Sequence, residues 1–238
     1  MAAPVRLALP AHVVQHGFED DAALAERVGE ALRAALRARP RAALVVSGGR
    51  SPRAFLGVLA EQALDWPRVS VTLADERWLP PSHADSNAGM VRAALLREAA
   101  AGADFVPLYG GEATPEAGVA ACIARLARLP RPFDAVVLGM GEDGHTASLF
   151  AGSAALPGLL AGTAAPVAPV QPPSAPYARM SLSLPALLDA RTVFIHIGGA
   201  GKRAVIEAAA QADPLRMPIA AVLRQRRTPV EVFYDASR

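Results

Sequence analysis

Short runs rich in Val, Leu and Ile alternate along the chain with longer stretches of helical periodicity. This alternation narrows the fold more than any other feature. Strand-like runs fall at 42–46, 69–74, 134–138, 192–197 and 230–233, with weaker ones at 5–9 and 105–108. Most are continuously apolar and bounded by Gly, Pro or Asp, as suits strands buried on both faces of a parallel sheet. Helices are expected at 21–39, 52–63, 87–100, 115–129 and 202–212. The first carries Leu24, Val28, Leu32 and Leu36 at a spacing of four with arginines opposite, and Pro52 sits at a first-turn position of the second. The expectation is an α/β, single-domain, Rossmann-like layered fold with a mostly parallel central sheet flanked by helices. One segment stands apart: residues 151–178 hold no charge and six prolines. It reads as irregular or edge structure with the makings of a lid, too apolar for a disordered linker.

Composition then removes several function classes. The hydrophobic fraction is 52%, yet much of it is alanine, and no run of about 20 strongly apolar residues occurs, so no membrane span is expected. The first residues lack a basic region followed by an apolar core, so no secretory signal is expected and the cytoplasm is the expected location. Cys122 is the only cysteine, which excludes an intrachain disulfide and a cysteine-based zinc cage. The net charge of +2 is spread among acids and aromatics make up only 5%, too few for a base-stacking platform, so no nucleic-acid partner is expected. A small anionic ligand accounts for the mild basic excess equally well. Lys202 is the only lysine, the other basic side chains among 24 Lys and Arg being arginine. Either that is chance, or a compact ammonium is required at that one place, which a planar guanidinium cannot replace.

Four stretches carry candidate chemistry. In LVVSGGRSP a strand runs into Ser47, Gly48 and Gly49, then Ser51 and a helix-starting proline, so backbone N–H groups converge on one spot suited to a phosphate or oxyanion. In LADERWLPPSHADSN the charges Asp75, Glu76 and Arg77 follow directly on a strand, at the edge where open α/β sheets collect ligand-facing residues, and Ser86 or Asn87 caps the next helix. The third, VVLGMGEDGHTASLF, contains a literal G-x-G-x-x-G, but the acid due about 20 residues on is absent and the following segment is too rich in Gly and Pro for a long helix. What remains is a glycine turn presenting Asp143 and His145 at a strand end, histidine being well poised for general-base work near neutral pH. The fourth, IHIGGAGKR, has His196 where a nucleotide P-loop needs its first glycine and Arg203 where it needs Ser or Thr. A lysine aimed at a phosphate survives there, and Arg179 is a second candidate cation, a natural bidentate clamp. His145 has no ligand partners at a helical or hairpin spacing, so no metal is expected.

Together SGGRSP, DERWLPPSHADSN, LGMGEDGHTASLF and RMSLSLPALLDAR with GGAGK resemble the 6-phosphogluconolactonase family, in the expected order from Ser47 to Lys202. The resemblance implies cofactor-free hydrolysis of 6-phospho-D-glucono-1,5-lactone to 6-phosphogluconate in the pentose phosphate pathway, on the fold shared with glucosamine-6-phosphate deaminases. It implies that His145 is the catalytic base, with Asp75 and Arg77 as polar pocket residues in the catalytic set. Lys202 and Arg179 then lie near the phosphosugar, Ser47, Gly48, Gly49 and Ser51 form the phosphate-side loop, and Asp143 and Gly144 complete the substrate site. The family commonly has SGGSTP; here Arg50 takes the first serine position. Asp75 either positions water or holds Arg77. The implied partner is a small sugar phosphate, and the chain a monomer or small homo-oligomer. A related deaminase would carry Asn-Glu-Pro after its DGH block, where this chain has Ser148, Leu149 and Phe150, and a non-catalytic phosphosugar sensor would carry a DNA-binding motif that is not read here.

Overall fold

The apolar runs form the middle of a seven-stranded sheet in a computed structural model that describes residues 6–17, 21–49 and 51–236. In chain order the elements begin β1 (Val14–Gly17), α1 (Asp21–Ala38), β2 (Ala42–Val46), α2 (Pro52–Ala60), β3 (Val69–Leu73), β4 (Asp75–Arg77) and α3 (Asn87–Ala94). Then come β5 (Asp104–Val106), α4 (Pro115–Leu126), β6 (Ala135–Leu138), α5 (Leu156–Leu160), β7 (Val167–Val170) and β8 (Arg179–Leu182). The chain ends with α6 (Leu184–Leu188), β9 (Val193–Gly198), α7 (Ala200–Ala209), α8 (Ile219–Arg224) and β10 (Val230–Asp235). The large sheet runs β1-β10-β9-β6-β2-β3-β5, and every pair in it is parallel. β2, β3 and β6 are buried at every residue, as strands covered on both faces must be. α1 buries Leu24, Val28 and Leu32, with Leu36 packed at the margin, and keeps its arginines outward.

A second sheet, β4-β8-β7, is small and antiparallel. Asp75–Arg77, the charged run that follows β3, is itself a short strand in register with Arg179–Ser181 of β8. Residues 151–178, read as irregular or edge structure with the makings of a lid, contain α5 and the edge strand β7; Pro169 is tolerated in β7 because an edge strand needs no donor on its outer side. The expected strand at 5–9 is not one at residues 6–9, and Val5 lies outside the described residues. Buried Leu7 donates its N–H to the Gln15 side chain at 2.9 Å, and the edge strand forms at Val14–Gly17 instead. The other elements end within a few residues of expectation. α3 stops at Ala94 before a short 3-10 turn, Glu98–Gly102, whose first residue has φ 48°. α7 starts at Ala200, two residues before Lys202. Among the described residues no helix is long and apolar enough to cross a membrane.

Candidate active site

The site follows from strand order. After β3 and β5 are laid on one side of β2, the chain crosses back and places β6 on the other side, with β9 beyond it. Ligands of open α/β sheets collect where the order reverses, outside the carboxyl ends of the strands. The turns after β2, β6 and β9 converge at that edge around a pocket of about 430 Å³. Ser47, Gly48, Gly49 and Ser51 line one side; His145, Thr146 and Lys202 line another; Asp75, Arg77 and Arg179 come from the small sheet. Gly144 and Asp143 lie in the same turn as His145, outside the lining itself.

The turn after β6 is built to aim an imidazole. Gly141 N–H donates to His145 O at 2.8 Å, Gly144 adopts φ 79°, and Ile219 N–H at the start of α8 donates to Gly144 O at 3.0 Å. Thr146 Oγ1 ties the exit of the turn to Gly139 O at 2.8 Å. Inside this frame His145 Nδ1 lies 2.6 Å from Asp143 Oδ1, which also accepts the His145 N–H at 3.1 Å. The hydrogen bond from His145, the largest influence on it, holds the Asp143 carboxyl at about 2, below its ordinary 3.8. A carboxylate only accepts, so Nδ1 carries the proton and Nε2 is left as the basic nitrogen. A Cβ on Gly141 would stand 2.1 Å from Nδ1, so no other residue leaves room for the ring. Phe150 packs under the imidazole with ring centroids 4.3 Å apart.

The opposite wall is the β4–β8 pair, whose register sets Arg77 across from Arg179 and Asp75 across from Ser181. Strand alternation puts all four on one face. Asp75, only 5% exposed, accepts from Ser148 Oγ at 2.5 Å and from Asn87 Nδ2 at 3.4 Å, and Arg179 Nη1 lies 3.5 Å away. Its cation is Arg179, whereas Arg77 Nη1 donates to Asp85 O at 2.6 Å. That answers the open alternative: Asp75 does not hold Arg77. Burial pulls the Arg179 guanidinium below its ordinary range, Asp75 opposing. Arg179 also stands over Phe150, 5.3 Å from the ring centre, which places it on the His145 side of the pocket. Glu76 faces away from the pocket and is fully buried. It accepts from Arg77 N at 2.8 Å and from Asn87 N and Ala88 N at 2.7 Å each, so it anchors the start of α3. Burial drives this carboxyl up to about 7 despite those three donors.

On the glycine-turn side, Ser47 is fixed to β6 through its N–H and Oγ, both donating to Val137 O at 3.0 and 3.1 Å. Asn87 presses so closely on Gly48 that a Cβ there would meet its Oδ1 at 1.9 Å. Arg50 lies outside the described residues. Lys202 Nζ donates to Met140 O in the turn after β6. Burial lowers its pKa while Glu142 and Asp143 raise it. An ammonium has three donors, so two remain for a ligand.

Residues 19–231 match the profile of the family described as Glucosamine-6-phosphate isomerases/6-phosphogluconolactonase. The chain belongs to that family. A Pseudomonas aeruginosa member named 6-phosphogluconolactonase is 50% identical over 84% of this chain and 85% of its own. A crystal structure of a 6-phosphogluconolactonase from Shewanella baltica is 41% identical, with a TM-score of 0.92 over 96% of this chain and 100% of that one. A monomeric glucosamine-6-phosphate deaminase shares the fold at 16% identity, with a TM-score of 0.72.

In this member of the glucosamine-6-phosphate isomerase/6-phosphogluconolactonase family, the fold gathers the sequence-derived candidates around one pocket. Sequence reading had Asp143 among the substrate-binding groups; its Oδ1 is engaged by His145. Three contributors were not anticipated: Ser148, Asn87 beyond its place at a helix start, and His196. Glu76, expected at the ligand-facing edge, is instead buried away from the pocket against the start of α3. Ser86, not Asn87, is the cap of α3, its Oγ accepting from Gly89 N at 3.1 Å. A polar side chain within an apolar strand was the available signal for His196; Ser148 lies in a turn and offered none. Their partners lie too far along the chain to be paired by eye.

Proposed function

We propose that this chain is a hydrolase of 6-phosphoglucono-lactone, acting in the pentose phosphate pathway in the cytoplasm. The observation that carries the reading is the Asp143–His145 pair at 2.6 Å on the rim of a pocket that also holds Lys202 and the Ser47–Gly49 turn. Family membership and the names of its relatives support the substrate class.

In the proposed mechanism the phosphate sits against the glycine turn and Lys202, which leaves the lactone carbonyl near His145. Nε2 takes a proton from water as the water oxygen bonds to C1. The tetrahedral oxyanion is met by Arg179 or Arg77 and by backbone N–H groups of the turns, donors already fixed before reaction. Collapse breaks the bond from C1 to the ring oxygen, and the imidazolium returns its proton to that oxygen. Asp143 stabilises the transient imidazolium and keeps the tautomer. Asp75, bound to Ser148 and Arg179, orients Arg179 and takes no proton. No step is routed through a metal or organic cofactor.

His145→Ala is expected to lower kcat by about 10²–10⁴-fold with affinity for 6-phosphogluconate retained. The assay is acid release from the enzymatically generated lactone, corrected for spontaneous hydrolysis. An unchanged kcat removes His145 from the role, and ammonia release from glucosamine 6-phosphate without lactone turnover would replace the reading with that of a deaminase.

A further inference from the structure

The pocket contains a second histidine–carboxylate pair that the mechanism above leaves unused. His196 lies near the carboxyl end of β9 and lines the pocket beside Ile197, Gly198 and Lys202. It is only 6% exposed, and its Nε2 stands 3.2 Å from Oδ1 of Asp21, the first residue of α1. Phe55 of α2 packs against the ring, centroids 5.9 Å apart and planes inclined at 60°. The surroundings are otherwise poor in charge: α2 offers Phe55, β10 offers the register partner Phe233, and His16 with Glu231 lies beyond Phe233. Among the described residues Asp21 from α1 is the ion-pair partner of His196, while Lys202 from α7 and Asp75, Arg77 and Arg179 from the small sheet line the same pocket.

We propose that His196, held by Asp21, is a substrate-binding cation: protonated, it donates to the phosphate of the phosphosugar. This rests on the phosphosugar reading given above. Charge matching favours it. A phosphate monoester carries close to two negative charges at neutral pH, and the single lysine of the chain supplies one positive charge at this end. An imidazole beside a carboxylate takes up a proton without leaving an isolated charge in the interior, because Asp21 compensates it. Only a protonated imidazole carries the charge this contact needs, so pH is the variable that tests it. The remaining donors at this end, the Ser47–Gly49 turn and Ser51 just before α2, line the same pocket. His145 is placed differently: it sits over Phe150 and is tied to Asp143, at the reacting end.

The test is the affinity for 6-phosphogluconate, measured by calorimetry from about pH 6 to about pH 9 on the wild-type chain and His196→Gln. Expected is a Kd about tenfold weaker in the variant at the acid end, converging on wild type at the alkaline end. The ratio of the two Kd values cancels the titration of the phosphate itself. A ratio near one throughout, or one that does not change with pH, overturns the proposal. Should His196→Gln not fold, Asp21→Asn retains the imidazole and removes its partner. The same pH-dependent loss is expected there, and its absence is equally fatal. A wild-type chain that neither hydrolyses the lactone nor binds 6-phosphogluconate would instead sink the functional reading itself.

Discussion

Gly141→Ala isolates the proposed Asp143–His145 pair from the rest of the fold. Gly141 does not take up a positive φ, so alanine meets no backbone penalty there. Its Cβ would nevertheless stand 2.1 Å from His145 Nδ1, 2.2 Å from Cε1 and 2.5 Å from Asp143 Oδ1. Carbon–heteroatom contacts settle near 3.5 Å, so the ring must retreat by about 1.4 Å. The 2.6 Å bond to Asp143 cannot survive that movement. A displacement of about 1 Å at a reacting group costs on the order of 10²-fold in rate, or about 2.7 kcal/mol of transition-state stabilisation. Folding stability should change by less than about 1 kcal/mol, because the imidazole edge is partly exposed and can swing outward, and alanine also stiffens the unfolded chain. Expected, then, is a kcat about 100-fold lower, an unaltered Kd for 6-phosphogluconate and a near-native urea midpoint. Gly158→Ala is the control: a Cβ there meets nothing within 4 Å, and the residue lies in α5, away from the pocket. A Gly141→Ala enzyme with kcat within about threefold of wild type would refute the assignment of the pair, since the ring could then not be working from the position described.

Two further outcomes follow from the geometry. Lys202→Ala should raise KM with little change in kcat, and Lys202→Arg should not rescue it, because a planar guanidinium does not reproduce the compact point charge that Nζ presents beside Met140 O; a normal KM in either variant would remove the phosphate role. Glu76 should make stability fall as pH rises: burial lifts its carboxyl from 4.5 to about 7, so between those values the folded chain keeps a proton that the unfolded chain has lost. The contribution is whole below about pH 4.5 and is lost as pH passes about 7, an effect of roughly 3 kcal/mol. Urea unfolding at acidic and at alkaline pH, with Glu76→Gln as comparison, should show the slope in wild type alone; an equal slope in both would assign it elsewhere.

What could be read from the chain, and what could not, divides by the distance over which residues act. β2 and β6 are legible because a strand covered on both faces tends to be apolar along its whole length, and β3 and β9 because Val, Leu, Ile and Phe dominate them despite Ser70, Thr72 and His196. The Asp143–His145 pair is legible for a similar reason: two residues apart on a glycine turn, they have little freedom to avoid each other. β4 is hidden, because a run of Asp, Glu and Arg has nothing strand-like about it until β8, about a hundred residues later, supplies its backbone partners and turns its side chains toward the pocket. Asp75 shows the limit most clearly. Its neighbour in sequence is Arg77, yet its partners are Ser148 and Arg179, 73 and 104 residues away. Local reading left open whether Asp75 holds Arg77, because proximity in the chain and proximity across a strand pair are unrelated. The same reasoning explains why His196 looked like a mere departure from a nucleotide-binding loop: the carboxylate that gives it a chemical part, Asp21, lies at the far end of the chain, on the first helix.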